Sequence, residues 1–313
     1  MGEYSKAIGE QGEEIVEKTI KELFGFSSYR KNIDIDCSFP DDHNVKKNSK
    51  RRTHGIDGLI SYKNPLIDHC LEIGVVSVKF TNKEYPNQAR KKFREHFKDL
   101  AWTLSCFKHS ETKSDIESKS RNVHKTNITG ILFWLSNNDQ SYDEDLSAEI
   151  AKAEFGGDGL KFEKIIFIDN ARLKFLYEVL SELPSKYTNP KIDFVYPRTG
   201  FNNSPEYNLG YGKEIPLSFL ANDIIPIRVE ENSKVILHLS CRKNFDTEEL
   251  VKIIGLAQSF NQLSATNKTI IGFPNYNQVN HSDSVQQAIG TLEDKNFANQ
   301  IEVLGNSKDY RNN

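Results

Sequence analysis

Apolar positions Ile8, Ile15, Val16, Ile20, Leu23 and Phe24 recur at helical spacing through residues 5–24, and Gly25 then supplies a stop. SSYRKNIDIDCSF, residues 27–39, alternates as a half-buried strand does. From His54 to Phe80 the pattern is strand, polar turn, strand: GIDGLISY carries Asp57, KNPLIDHC turns, and LEIGVVSVKF is rich in valine and isoleucine. QARKKFREHFKDLAWTLSCFK then predicts a long amphipathic helix with Phe93, Phe97, Leu100, Ala101 and Leu104 on one face. The polar stretch from His109 to Asn127 reads as a surface loop, and ITGILFWLSN, residues 128–137, as a buried strand.

The second half continues the alternation, with EDLSAEIAKAEF and ARLKFLYEVLSEL as helices around the strand FEKIIFID. The irregular passage YTNPKIDFVYPRTGFNNSPEYNLGYGKEIP marks a boundary, and it divides the chain into domains at 1–185 and 186–313. Beyond it, KVILHLS, EELVKIIGLAQSF, TIIGFP, SVQQAIGTLE and IEVLG read as strand, helix, strand, helix, strand. No GxGxxG or GxxxxGK[ST] sits at the turns of that unit, so a scaffold or partner-binding lobe is expected rather than a nucleotide site. No internal sequence repeat is evident. The whole pattern predicts an α/β protein whose mixed sheet is flanked by helices.

At 313 residues, 37% hydrophobic and 27% charged, the chain can fill two cores. Cys37, Cys70, Cys106 and Cys241 are far apart and form no CxxC pair, so neither a zinc site nor a disulfide framework is expected, and a reducing cytoplasm fits. The start, MGEYSKAIGEQGEE, has no apolar signal core, and no stretch approaches the ~20 apolar residues of a membrane span. The net charge of -3 conceals an asymmetry: residues 1–130 carry 23 Lys+Arg against 19 Asp+Glu, leaving 18 against 25 for the remainder. A basic first half suits a polyanion, and an acidic second half suits a protein partner.

Lys79 ends a strongly apolar strand, and a buried ammonium demands an anion; Asp57, on the preceding strand, is the first candidate. The alternative is that Lys79 reaches water at the strand end while Asp57 closes a glycine-flanked turn. Two glycines in the first helix, Gly9 and Gly12, each cost up to ~1 kcal/mol relative to alanine, which points to a close approach of backbone or substrate on that face. Lys46, Lys47, Lys50, Arg51 and Arg52 form a basic loop leading into Asp57, and Arg90, Lys91, Arg94 and Lys98 form a second basic patch. Both could hold phosphates. His54 lies near enough in sequence to contact one as well.

Residues 5–137 resemble the PD-(D/E)XK nuclease superfamily, in particular its Mrr-like and Holliday-junction-resolvase-like branches. The resemblance rests on GEQGEEIVEKTIKELFG (residues 9–25), Asp57 in GIDGLI, and SVK (residues 77–79) in the place of the ExK tripeptide. It implies an αβββαβ core and a Mg²⁺- or Mn²⁺-dependent endonuclease acting on DNA with little sequence preference, in a setting such as anti-phage defence. Glu13, Asp57 and the main-chain carbonyl of Val78 would then hold the metal, with Lys79 beside the attacked phosphate. Ser77 stands where the family usually has an acid and offers only a weak ligand. Glu10, one turn before Glu13, and Glu72, if a bulge at Gly74 turned it round, are the alternative acids. A second possibility is a catalytically weak subunit that binds nucleic acid and assembles with a protein partner or with itself. RNA is not separated from DNA by the sequence.

Overall fold

The computed structural model describes residues 2–44, 50–155, 159–204, 210–261 and 266–306. Lys46 and Lys47 lie outside the described residues. The chain divides into two compact units, Met1–Lys174 and Phe175–Asn313, so the division falls within a helix and precedes the irregular passage expected to mark it.

The first unit opens with α1 (Gly2–Lys18), which continues through a π turn (Thr19–Leu23) where the Thr19 hydroxyl donates to the Ile15 carbonyl. Five strands follow: β1 (Arg30–Asp36), β2 (Thr53–Lys63), β3 (Cys70–Thr81), β4 (Lys125–Ser136) and β5 (Lys164–Ile168). They lie in sequential order in one sheet; β1, β2 and β3 pair antiparallel, and β3, β4 and β5 pair parallel. The parallel steps need crossovers. The first is made by α2 (Ala89–Phe107) and α3 (Glu111–Lys119), the second by a passage containing the single turn α4 (Ser147–Ile150). α3 was expected as loop: only Ile116 among its residues is buried, so apolar periodicity cannot reveal it, whereas its Ser110 cap accepting from the Lys113 amide can.

The sheet's core is apolar on both faces. Ile73, Val75 and Leu132 pack with Phe93, Phe97, Leu100 and Leu104 of α2, while Val16, Ile20 and Phe24 are buried from α1 and the turn that follows it. Each such burial is worth about 1.5–3 kcal/mol. β3 is buried from Cys70 to Ser77 and emerges only at Val78, which explains its near-continuous apolar reading. Cys37, just past β1, and Cys106, in α2, approach to 3.8 Å between sulfurs although 69 residues separate them.

The second unit contains α5 (Asn170–Glu182, shared with the first), β6 (Lys191–Val195), β7 (Tyr211–Gly212), β8 (Ile224–Glu231), β9 (Lys234–Cys241), α6 (Thr247–Asn261), β10 (Lys268–Phe273), α7 (Gln278–Gly290), α8 (Lys295–Ala298) and β11 (Ile301–Gly305). Its sheet runs β11-β10-β9-β8-β6-β7. The closing strand-helix-strand-helix-strand is as expected, but β6 and β8 extend the sheet antiparallel. From β6 through β8, β9, β10 and β11 the strands pair antiparallel twice and then parallel twice, the same succession as β1 to β5. The repeat is one of topology without a matching sequence.

Candidate active site

β2 and β3 share their last ladder pair at Gly58 and Val76. Beyond it a side chain replaces the backbone: the Val78 amide donates to Asp57 Oδ2 at 2.6 Å, and the Ser77 hydroxyl donates to the same carboxylate. The main chain of Val78 therefore faces Asp57. Burial holds the Asp57 carboxyl above its usual range; the Val78 amide, Lys79 and Ser77 oppose the shift, and Asp99 adds to it.

Glu13 reaches this place because of its neighbour. Gly12 lies so close to Phe80 of β3 that a Cβ there would overlap the phenylalanine's own Cβ, so only glycine lets α1 settle this low. Gly9, one turn earlier, has nothing within 4 Å of an added Cβ and serves no such approach. Glu13 is half-buried, and burial raises its carboxyl first, the charge of Asp57 second and that of Glu10 third, with Lys31 and Lys79 pulling it down. α1 is tied down alongside by Glu17, which accepts from Lys21 at 2.7 Å and from Lys31 of β1 at 2.9 Å.

Lys79 keeps a 30% exposed side chain, and its Nζ stands 3.9 Å from Asp99 Oδ2 on α2. Asp99 also accepts from Arg51 at 2.6 Å through its other oxygen. An open cleft of about 540 Å³ is lined by Lys79, His96, Lys98, Asp99 and Trp102 among others. Burial, followed by the charges of Lys79 and Lys92, lowers His96 to about 4, so its imidazole is neutral near pH 7. Asp99 and His96 were not singled out in the sequence. Their one signal is the helical spacing that puts them on the face of α2 turned toward the cleft, and reading it requires knowing where α2 crosses the sheet.

The alternative acids fall elsewhere. β3 pairs with β4 without interruption from Cys70 to Thr81, so no bulge at Gly74 turns Glu72 toward Ser77. Its carboxylate is buried and accepts from Thr129 at 2.6 Å, Asn64 at 2.9 Å and Asn127 at 3.2 Å, a structural role that corrects the alternative assignment. Glu10 is exposed and pairs with Lys6 at 3.7 Å, close enough to Glu13 to act on its charge.

The basic residues are partly committed within the protein. Lys50 pairs with Asp41 at 2.9 Å, Arg51 is held by Asp99 and by the Thr53 carbonyl at 3.1 Å, and Arg90 pairs with Glu149 at 2.6 Å. Lys98 sits over the Trp102 ring at 4.9 Å. Arg52, Lys91 and Arg94 are exposed. His54 is fully buried, with its ring among other side chains rather than at a phosphate, which corrects the expectation for it.

Two carboxylates raised by burial, a main chain turned toward one of them, Asp57, and a lysine favouring both ionised forms make a donor set that fits a hard divalent cation. Residues 1–172 match the family model described as the GAPS4 protein PD-(D/E)XK nuclease domain. No curated protein and no solved structure matches the chain. Among the described residues no helix is long and apolar enough to cross a membrane.

Proposed function

The chain belongs to the GAPS4 PD-(D/E)XK nuclease family, and from that premise we propose that it is a metal-dependent endonuclease that hydrolyses DNA phosphodiester bonds as part of an anti-phage defence system. The observation that carries this reading is geometric: the Val78 amide of β3 donates to Asp57 of β2 at 2.6 Å and Gly12 seats α1 against Phe80 of β3, close enough that the charge of Asp57 raises the Glu13 carboxyl and that of Lys79 lowers both carboxyls. Asp57, Glu13 and the Val78 carbonyl would hold Mg²⁺ or Mn²⁺. Such an ion supplies a water of lowered pKa and neutralises charge gathering on the phosphate oxygens.

The remaining work falls to the chain itself. Val78 and Ser77 fix the Asp57 carboxylate by hydrogen bonds, so it need not reorganise when a cation or phosphate arrives. Lys79, tethered by Asp99, offers an ammonium to the attacking water and to the phosphate. Arg52, Lys91 and Arg94 contact flanking backbone without reading bases, which implies little sequence preference. For the second unit a scaffolding or partner-binding role is in line with the acidic balance beyond residue 130, 18 Lys+Arg against 25 Asp+Glu.

Plasmid cleavage in Mg²⁺ or Mn²⁺ tests the proposal. Asp57→Ala, Glu13→Ala and Lys79→Ala should each abolish cutting, and cleavage at full rate by Asp57→Ala and Lys79→Ala would remove the assigned site. One observation favours a second reading, a subunit that binds nucleic acid with little turnover: Ser77 offers a hydroxyl, spent on Asp57, where an acid would add charge. That version requires wild-type protein to bind DNA in a salt-dependent way and to leave it uncut in every divalent ion.

A further inference from the structure

Outside the candidate active site, Cys37, His43, His54 and Cys106 are all buried and bring one ligand atom each within 4.8 Å of one another. We propose that these four side chains bind a structural Zn²⁺ ion, separate from the catalytic metal and closed to solvent chemistry.

The distances fit one central ion. With Zn–S near 2.3 Å and Zn–N near 2.0–2.1 Å, a tetrahedral site has edges of about 3.8 Å for S to S, about 3.5 Å for S to N and about 3.3 Å for N to N. Four of the six edges match: 3.8 Å from Cys37 Sγ to Cys106 Sγ, 3.5 and 3.4 Å from those sulfurs to His43 Nδ1, and 3.4 Å from His43 Nδ1 to His54 Nε2; the other two, from His54 to the sulfurs, lie within 4.8 Å. Hydrogen bonding alone does not explain the arrangement. His43 Nδ1 has three partners at nearly equal distance, and a single ring hydrogen cannot serve them all. A disulfide does not explain it either, since both cysteines are free and their sulfurs are far beyond a bond.

The surroundings prepare the donors. Thr103 gives its hydroxyl hydrogen to the Asp99 carbonyl at 2.9 Å, so its oxygen accepts from His54 Nδ1–H at 3.2 Å. That places the proton on Nδ1 and leaves the Nε2 lone pair aimed into the cluster, the arrangement that orients a metal-binding imidazole. The Ser38 amide donates to Cys106 Sγ at 3.3 Å, a hydrogen bond that a metal-bound sulfur still accepts. The His43 ring is held by stacking on Trp102, 5.2 Å between centroids. Binding would release the two thiol protons to solvent, and two thiolates with two neutral imidazoles exactly balance the ion's two charges, so the buried site carries no net charge.

The ligands come from just past β1, the connection between β1 and β2, the start of β2 and the last turns of α2. The ion would thus pin both ends of the connection that carries the basic run, three residues before Asp57. Sequence spacing concealed it, because 6, 11 and 52 residues separate successive ligands and none forms a CxxC or HxxxH pair.

Metal analysis of the full chain, purified under reducing conditions from zinc-supplemented culture, should find one zinc per chain. Asp57→Ala/Glu13→Ala should retain it, and Cys37→Ser/Cys106→Ser should lose it. Because the cysteine variant could fail to fold, cobalt replacement in the wild type gives an independent reading. Co²⁺ should produce intense tetrahedral d–d bands with thiolate charge transfer, abolished by added Zn²⁺. Zinc well below one per chain after reconstitution, a pale octahedral cobalt spectrum, or an equal loss of zinc in Asp57→Ala/Glu13→Ala would overturn the assignment.

Discussion

Lys79 Nζ lies 3.9 Å from Asp99 Oδ2, so the amine at the centre of the candidate site is held by a carboxylate on the helix that crosses the sheet. Arg51 secures the other oxygen of that carboxylate at 2.6 Å. Asp99 is thus a positioning residue. Asp99→Asn should lower the cleavage rate about 10- to 100-fold, the usual scale for loosening a group by an ångström or less. The effect should fall on kcat with little change in DNA affinity, and it should be smaller than that of Lys79→Ala. Single-turnover cleavage beside a binding titration separates the two. Equal loss of binding and rate would show that Asp99 holds the fold of the cleft instead.

The two glycines of α1 should behave oppositely. Gly12→Ala must push α1 off Phe80, at a cost of about 1–3 kcal/mol for overpacking, and it shifts Glu13 with it, so cleavage should fall as well. Gly9→Ala meets open space and gains helix propensity, so stability should rise by about 0.5–1 kcal/mol with activity intact. Denaturant unfolding of the two variants provides the comparison. A neutral Gly12→Ala would mean that the helix is not seated against β3.

The contrast shows what was legible. Both glycines stood out in the sequence as costly in a helix, yet only a partner strand tells which one is approached. Apolar runs long enough to be buried, β3, β4 and the helix α2, could be read directly, and with them the placement of Asp57 and Lys79 on neighbouring strands and the order of the core. β8 could not: IIPIRVEE carries a proline opposite Leu239 and ends in two acids, features that argue against a strand unless it lies in a sheet already formed. Asp99 and the Cys and His ligands escaped for a related reason. Their roles depend on α2 packing across β2 and β3, a contact between distant segments that leaves no periodic trace.

Glu72 offers a control for the assignment of acids. It is buried on β3, the strand that carries Lys79, but its hydrogen bonds come from Thr129, Asn64 and Asn127. Glu72→Ala should destabilise the protein by about 2–4 kcal/mol by leaving the buried Thr129 and the half-buried Asn64 and Asn127 short of a partner. Whatever fraction remains folded should still cut DNA. Glu13→Ala should do the reverse, costing activity and little stability. Loss of activity in fully folded Glu72→Ala protein would restore Glu72 as a catalytic acid.

The last prediction concerns pH. Burial raises the Asp57 carboxyl above its ordinary value, so in metal-free protein the ionised form is the disfavoured one. The sign follows from linkage. A carboxyl with a folded pKa above its unfolded pKa weakens the fold once both states have lost the proton, and the penalty disappears as pH falls below the unfolded pKa. Asp57→Asn should therefore melt higher than wild type at neutral pH without divalent ions, with the gap closing as pH is lowered through the carboxylate range. Mg²⁺ or Mn²⁺ should raise the wild-type melting temperature well above any rise in Asp57→Asn, which keeps the Glu13 carboxylate but lacks the second negative ligand. Melting curves across pH, with and without Mn²⁺, decide the matter. A wild type insensitive to the ion would deny Asp57 a part in binding it, whatever the cleavage assay shows.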